Sequence, residues 1–142
     1  MNKIQIAFLQ EHCKDLSVLY VEDDMALAHS TTLYLKKFFG TVVTCFDGHE
    51  AFEVYKNMSF DLVMTDLAMP KLDGFGLIAL IKERNPDQII MINSAFNDNS
   101  YQIKADKFGV DGYLNKPTNN DHFIETLYKM TKKIIERGMM KQ

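Results

Sequence analysis

Apolar and polar residues form two kinds of block that alternate along the chain. Five short apolar runs have the length and composition of strands buried on both faces of a parallel sheet, and they cover residues 17–21, 41–46, 61–65, 89–93 and 112–114. Each run is followed by a longer segment with apolar residues at helical spacing, and these segments cover residues 25–39, 48–57, 74–84, 99–108 and 119–137. The alternation predicts an α/β fold of (βα)5 type, in which helices cover both faces of a doubly wound, parallel five-stranded sheet.

Two short segments lie outside this pattern. Residues 1–16 form an N-terminal extension, in which Ile4, Phe8 and Leu9 can share one face of a short helix. Residues 138–142 follow the last predicted helix and are expected to form a tail or the start of a linker. We therefore expect the domain itself to cover residues 17–137.

Composition and charge narrow the class of protein. The chain has 142 residues, of which 46% are hydrophobic and 25% charged, as in an ordinary globular domain. Its formal net charge of −3 argues against direct binding of nucleic acid by this chain, because such binding usually needs a basic face. No apolar run is long enough for a membrane span. Cys13 and Cys45 lack metal-ligand spacing, which favours a reducing, cytoplasmic environment.

Charged and hydroxyl side chains stand where the apolar runs end. Glu22 and Asp23 follow the first run, Asp66 the third, Ser94 the fourth and Lys116 the fifth. Because parallel strands place their carboxyl ends at one edge of the sheet, we expect these side chains to lie close together. Clustered carboxylates repel one another and need a cation, for which Mg²⁺ fits best. A carboxylate beside Mg²⁺, a lysine and a hydroxyl is equipped to accept a phosphoryl group.

Three segments that carry these residues resemble the signature of the receiver domain of bacterial-type response regulators (CheY-like). The segments cover residues 18–24, 61–74 and 112–117, and the resemblance extends over about 17–137. It implies a flavodoxin-like fold with strand order 2-1-3-4-5. It also implies a cytoplasmic signalling switch of a two-component system or phosphorelay.

The resemblance further assigns roles to individual residues. Asp66 matches the phosphorylated aspartate. The expected ligands of Mg²⁺ are Glu22 (through water), Asp23, Asp66 and the backbone carbonyl of Ala68. Mn²⁺ is expected to be able to replace Mg²⁺ at this site. The residues that bind the phosphate or respond to it are Lys116, the switch hydroxyl Ser94 and the switch aromatic Tyr113. The bond before Pro117 is expected to be cis.

The resemblance also predicts the partners. None of the four histidines lies at a predicted strand end, so the phosphohistidine donor is expected to be a sensor histidine kinase or a phosphotransfer protein. Phosphorylation is expected to shift an existing equilibrium that reshapes the surface of segments 99–108, 112–114 and 119–137. An output domain, a target protein or a second copy of the chain would bind that surface.

Two positions depart from the polar residues that are common in this family. Ala68 and Phe96 lie two residues after Asp66 and Ser94 respectively, at positions that tune loss of the phosphate. Apolar side chains there predict slow dephosphorylation, because neither orients an attacking water by a hydrogen bond.

Two other functions are open to a chain with this pattern. One is a magnesium-dependent phosphohydrolase with Asp66 as nucleophile, but that class needs a second acid two positions later, where this chain has Ala68. The other is a scaffold that works without phosphorylation, and the complete set of acids, Ser94 and Lys116 argues against it. We therefore predict a switch whose chemistry is self-directed phosphotransfer and autodephosphorylation, and no enzyme that acts on other molecules.

Overall fold

The predicted α/β fold is confirmed by a computed structural model, which describes residues 2–69, 71–95 and 99–140. Five strands form one parallel sheet: β1 (Ser17–Val21), β2 (Thr41–Cys45), β3 (Leu62–Thr65), β4 (Ile90–Ser94) and β5 (Gly112–Asn115). Their order in the sheet is β2-β1-β3-β4-β5, as predicted. Strand β2 therefore lies on one side of β1, and β3 lies on the other. In open α/β sheets, ligands bind beside the strand at which the strand order reverses in this way.

Helices follow each strand, and one more precedes the sheet. They are α1 (Lys3–His12), α2 (Met25–Leu35), α3 (Gly48–Asn57), α4 (Gly74–Arg84), α5 (Asn99–Lys107) and α6 (Asn120–Met140). Aspartates cap α2, α3 and α4: the carboxylates of Asp24, Asp47 and Asp73 each accept a hydrogen bond from the backbone N–H three residues later. Such caps satisfy amides that have no partner within the helix.

Two helices end three or more residues away from the predicted position, and α5 ends one residue earlier than predicted, at Lys107. The helix expected over 25–39 ends at Leu35, and the chain then tightens into turns in which the amides of Lys37 and Phe38 donate to carbonyls three residues earlier, at 3.1 and 3.0 Å. The helix expected to end at 137 continues to Met140. Residues 138–140, expected to belong to a tail, are therefore part of this helix. Gly138 does not end the helix, because an exposed glycine lowers helix stability by only about 1 kcal/mol.

The core has two layers, one on each face of the sheet. Successive strand residues point to opposite faces, so that Tyr20 and Met91 pack toward α1, α2 and α6, while Leu19 and Ile92 pack toward α3, α4 and α5. With both faces covered, the two ends of the sheet are left for the polar groups that follow the strands.

Helix α1 is part of the first of these layers. Leu9 is fully buried, and the ring of Phe8 packs edge-to-face on Tyr128 of α6 with centroids 5.0 Å apart. The Cys13 thiol lies 3.3 Å from the Thr131 hydroxyl, also on α6. The N-terminal extension thus packs along α6 and adds apolar surface to the core.

Candidate functional site

The three acids that follow β1 and β3 come together at the carboxyl edge of the sheet. Carboxylate oxygens of Glu22, Asp23 and Asp66 all lie within 4.8 Å of one another. The strand register explains this, since Val21 pairs with Thr65, and the Asp66 amide donates a hydrogen bond to the Val21 carbonyl at 3.0 Å. Hence Glu22 and Asp66 are neighbours, each directly after one of two adjacent strands. Oxygen ligands of this kind suit a hard divalent cation.

Lys116 binds two of the three acids. Its Nζ lies 2.5 Å from Oε1 of Glu22 and 3.3 Å from Oδ2 of Asp66. The sequence predicts that Lys116 lies near the acids, but it does not predict which of them the lysine contacts. Its contact with Glu22 was missed, although Glu22 is only 2% exposed and a buried carboxylate requires a hydrogen-bonded cation. The apolar strand immediately before Glu22 was the available signal that this acid is buried.

The charges of the cluster shift two pKa values. Burial raises the pKa of Glu22 to about 6, although the hydrogen bond from Lys116 opposes the rise. Burial alone would lower the pKa of Lys116, but its hydrogen bond to Glu22 and the charge of Asp66 outweigh burial, so its pKa is raised. Lys116 therefore remains a cation next to the buried acids.

The loop after β3 holds the Asp66 side chain in place. Oδ1 of Asp66 accepts a hydrogen bond from the Leu67 amide at 2.7 Å, and this leaves Oδ2 toward Lys116. The Gly74 amide donates to the Leu67 carbonyl at 2.9 Å. A Cβ atom at Gly74 would lie 2.3 Å from the Asp66 carbonyl oxygen, so this close approach of α4 requires glycine.

The remaining residues predicted for the site lie on β4, β5 and the loops beside them. Ser94 is fully buried at the end of β4. Burial raises the pKa of Tyr113, and a hydrogen bond with the Ser94 side chain opposes that rise. The Ser94 side chain therefore lies close to Tyr113. The Lys116–Pro117 bond is cis, and Ala68 is exposed. Phe96 lies outside the described residues.

Other residues of the described chain add no second metal cluster and no membrane span. The acids Glu22, Asp23 and Asp66 are the one such group found among the described residues. None of the helices in that part of the chain combines the length and apolarity that a membrane crossing requires.

We expect Glu22→Gln to stabilise the metal-free protein in a pH-dependent manner. The folded-state pKa of Glu22 is about 6 against an ordinary value of 4.5, so the stability linked to this group is fully present below pH 4.5 and is lost as the pH rises through about 6. A neutral amide avoids that loss and still accepts from Lys116. The free energy of unfolding of the variant, relative to wild type, should rise from near zero at about pH 4 to about 2 kcal/mol at about pH 8.

Urea unfolding of both proteins in the presence of a chelator measures this difference. A difference that stays constant over the same pH range would contradict the assigned burial of the Glu22 carboxylate.

Comparison with known proteins assigns the chain to a family. Residues 18–128 match the family model of the response regulator receiver domain. The chain therefore belongs to the receiver domain family of response regulators, the phosphorylation-activated signalling switches of two-component systems. Members of this family are not classical enzymes.

Individual relatives agree with this assignment. The chain is 32% identical to the transcriptional regulatory protein ZraR of Salmonella typhimurium over 87% of its own length and 28% of that protein. It is also 32% identical to the uncharacterized transcriptional regulatory protein YcbL of Bacillus subtilis, over 70% of its own length and 43% of that protein. It thus spans less than half the length of these two relatives.

Solved structures show the same fold. A response regulator receiver domain from Clostridium thermocellum superposes with a TM-score of 0.77 at 25% identity, over 90% of this chain and all of the other (100%).

Proposed function

We propose that this chain is switched by transfer of a phosphoryl group to Asp66. The observation that carries the proposal is the position of Oδ2 of Asp66, 3.3 Å from Nζ of Lys116 and within the cluster of three acids. A nucleophilic carboxylate between a cation and a metal-binding acid pair is the arrangement that phosphoryl transfer needs, because charge on the phosphoryl oxygens must be neutralised.

Asp23, Asp66 and the backbone carbonyl of Ala68 are the proposed direct ligands of Mg²⁺, and Glu22 is proposed to contact the ion through water. The residues fit this ion, since all the donors are oxygen atoms and the exposed Asp23 leaves room for bound water. Mn²⁺, which favours the same ligands, would substitute for it. When bound, the ion neutralises oxygens of the phosphoryl group.

The phosphoryl step uses groups that are already close together. An Asp66 carboxylate oxygen attacks phosphorus, the P–N bond of the donor phosphohistidine breaks, and its electron pair returns to the imidazole. Lys116 contacts Asp66 and is placed to bind the new phosphate. All four histidines of the chain are exposed and none belongs to the acidic cluster, so the donor is a sensor histidine kinase or a phosphotransfer protein.

Ser94 and Tyr113 transmit the change. The phosphate accepts a hydrogen bond from the Ser94 hydroxyl, which lies close to Tyr113. Rearrangement of that pair alters the surface formed by α5, β5 and α6, here called the output surface. An output domain, a target protein or a second copy of the chain binds there, and the chain itself binds no nucleic acid. Free, buried Cys13 and Cys45 are compatible with a cytoplasmic location.

Beryllium fluoride, which mimics a phosphoryl group, tests the switch. Adding it with Mg²⁺ should shift the backbone amide resonances of Tyr113, of α5 and of the first half of α6, as well as those next to Asp66. The Asp66→Asn variant, which lacks the anionic acceptor, is the control and should show none of these shifts. Shifts confined to the neighbourhood of Asp66 in the wild type would show that the output surface is not coupled to the site.

The phosphorylated state should be long-lived. Hydrolysis needs a water held in line with the phosphorus, and Ala68 offers no polar side chain to hold it. The double variant Ala68→Asn, Phe96→Glu supplies polar groups and should release phosphate about 10- to 100-fold faster. Release of phosphate from the purified phosphoprotein gives both rates. If the double variant is no faster than wild type, water positioning by these residues does not set the lifetime.

A further inference from the structure

A cavity of about 640 Å³ lies between α2, α6 and the carboxyl end of β4. It is lined by residues that include Leu27, Thr31, Tyr34, Asn93, Thr118 and Phe123. Its volume falls in the range of cavities that bind small molecules, which are mostly apolar and carry a few convergent polar groups. We call it the α2–α6 cavity.

Asn93 is the unusual residue of this cavity. It follows three apolar residues on β4 and, two positions after Met91, faces the same layer of the core. The residue is only 8% exposed. A buried amide on this face requires hydrogen-bond partners, since leaving such a group unpaired costs about 1–3 kcal/mol.

The described residues do not supply those partners. Oδ1 of Asn93 is 3.5 Å from the Thr118 hydroxyl, but that hydroxyl has one proton and donates it to the Asn115 carbonyl at 2.8 Å. Nδ2 of Asn93 has no hydrogen bond to any residue in the described part of the chain, and it is not among the atoms sealed from solvent. The amide therefore has a free donor and a poorly paired acceptor at the cavity wall.

A second polar group lies behind the same wall. The hydroxyl of Tyr20, on the same face of the sheet, is buried and has no hydrogen-bond partner among the residues that the structure describes. Burial raises the pKa of Tyr20, and the hydroxyl of Thr31, a wall residue, is close enough to oppose that rise. Strands β1 and β4 thus each place on this side of the sheet a polar side chain, Tyr20 and Asn93 respectively, whose hydrogen-bonding capacity is not fully satisfied.

The charge of the lining restricts the ligand. Lys116 is the charged residue of the wall, and it is already paired with Glu22 and Asp66. A charged ligand would find no free counter-charge there. Tyr34 and Phe123, whose rings pack edge-to-face with centroids 5.8 Å apart, offer an apolar surface to a ring or a short aliphatic chain.

We propose that the α2–α6 cavity binds an uncharged small molecule with an apolar body and one carboxamide or lactam group. That group accepts a hydrogen bond from Nδ2 of Asn93 and donates one to Oδ1, as two amides do when they pair. The apolar body lies against Tyr34, Phe123 and Leu27. This binding does not depend on phosphorylation of Asp66, so either proposal can fail without the other.

Two neutral probes of equal size test the proposal: benzamide, and acetophenone, which lacks the N–H donors. Benzamide should shift the amide resonances of Asn93, Thr118 and Phe123 saturably at millimolar concentration, as expected for so small a ligand. Acetophenone should bind about fivefold to tenfold more weakly, because it satisfies one fewer hydrogen bond.

Two variants complete the test. Asn93→Leu should remove the difference in affinity between the two probes, because leucine offers neither the donor that both probes use nor the acceptor that only benzamide uses, and the affinity for benzamide should fall by at least fivefold to tenfold. The matched control, Asn57→Leu at the end of α3, should bind both probes as wild type does. Equal benzamide affinity in wild type and Asn93→Leu, or shifts that lie outside the cavity, would overturn the proposal. The proposal would also be overturned if a phosphohistidine-bearing protein shifted the resonances of the cavity residues and benzamide did not. That result would assign the cavity to a macromolecule.

Discussion

Replacing Asp23 with asparagine should weaken Mg²⁺ binding by more than tenfold. Three carboxylates lie within 4.8 Å of one another, and of these Asp23 is the exposed one that makes no ion pair with Lys116. Asp23 is therefore the anionic ligand most available to the metal. Loss of a residue that merely orients a metal ligand already costs about 10- to 100-fold in affinity, and loss of a direct ligand should cost at least as much.

The neighbouring residue provides a matched control. Asp24→Asn removes the same charge one position further along, and asparagine caps α2 about as well as aspartate does. Magnesium titration followed by tyrosine fluorescence should show near wild-type affinity for Asp24→Asn and a large loss for Asp23→Asn. Unchanged affinity in Asp23→Asn, or the same loss in both variants, would remove Asp23 from the metal site.

Replacing Lys116 with glutamine should slow phosphorylation about 100- to 1,000-fold. Lys116 is the cation that contacts Asp66, at 3.3 Å, and losing one donor that stabilises developing charge commonly costs this much. Without it, Glu22 and Asp66 repel each other and the pKa of Glu22 should rise further above its present value of about 6.

Rates of phosphate incorporation from a small acyl phosphate, measured by mass spectrometry at saturating Mg²⁺, test this effect. Lys56→Gln is the control, because in the described part of the chain Lys56 contacts only residues of its own helix, an ion pair with Glu53 and the ring of Phe52, and its rate should match wild type. An unchanged rate in Lys116→Gln would exclude the lysine from the phosphoryl site.

Much of the fold follows directly from the sequence. Apolar runs of strand length that alternate with helical segments allow few topologies, because parallel crossovers are right-handed and connections are short. The same alternation places Glu22, Asp66 and Lys116 at one edge of the sheet before any side chain is located. The start of α2 can also be predicted from local sequence, because it depends on one hydrogen bond, from the Leu27 amide to the side chain of the capping residue Asp24.

Other features depend on side-chain packing between distant segments, which periodicity does not encode. Lys116 contacts Glu22, 94 positions away, because the nearest cation must compensate a buried carboxylate. The poor pairing of Oδ1 of Asn93 results from competition for the proton of Thr118, which only atomic positions reveal.

Intact-protein mass spectrometry after incubation with a small acyl phosphate and Mg²⁺ tests the central claim, phosphorylation of Asp66, most directly. Wild type and the Asp24→Asn control should each gain the mass of one phosphoryl group. The Asp66→Asn variant should gain none, because an amide is a poor nucleophile. Equal labelling of Asp66→Asn and wild type would contradict the assignment of Asp66 as the phosphate acceptor.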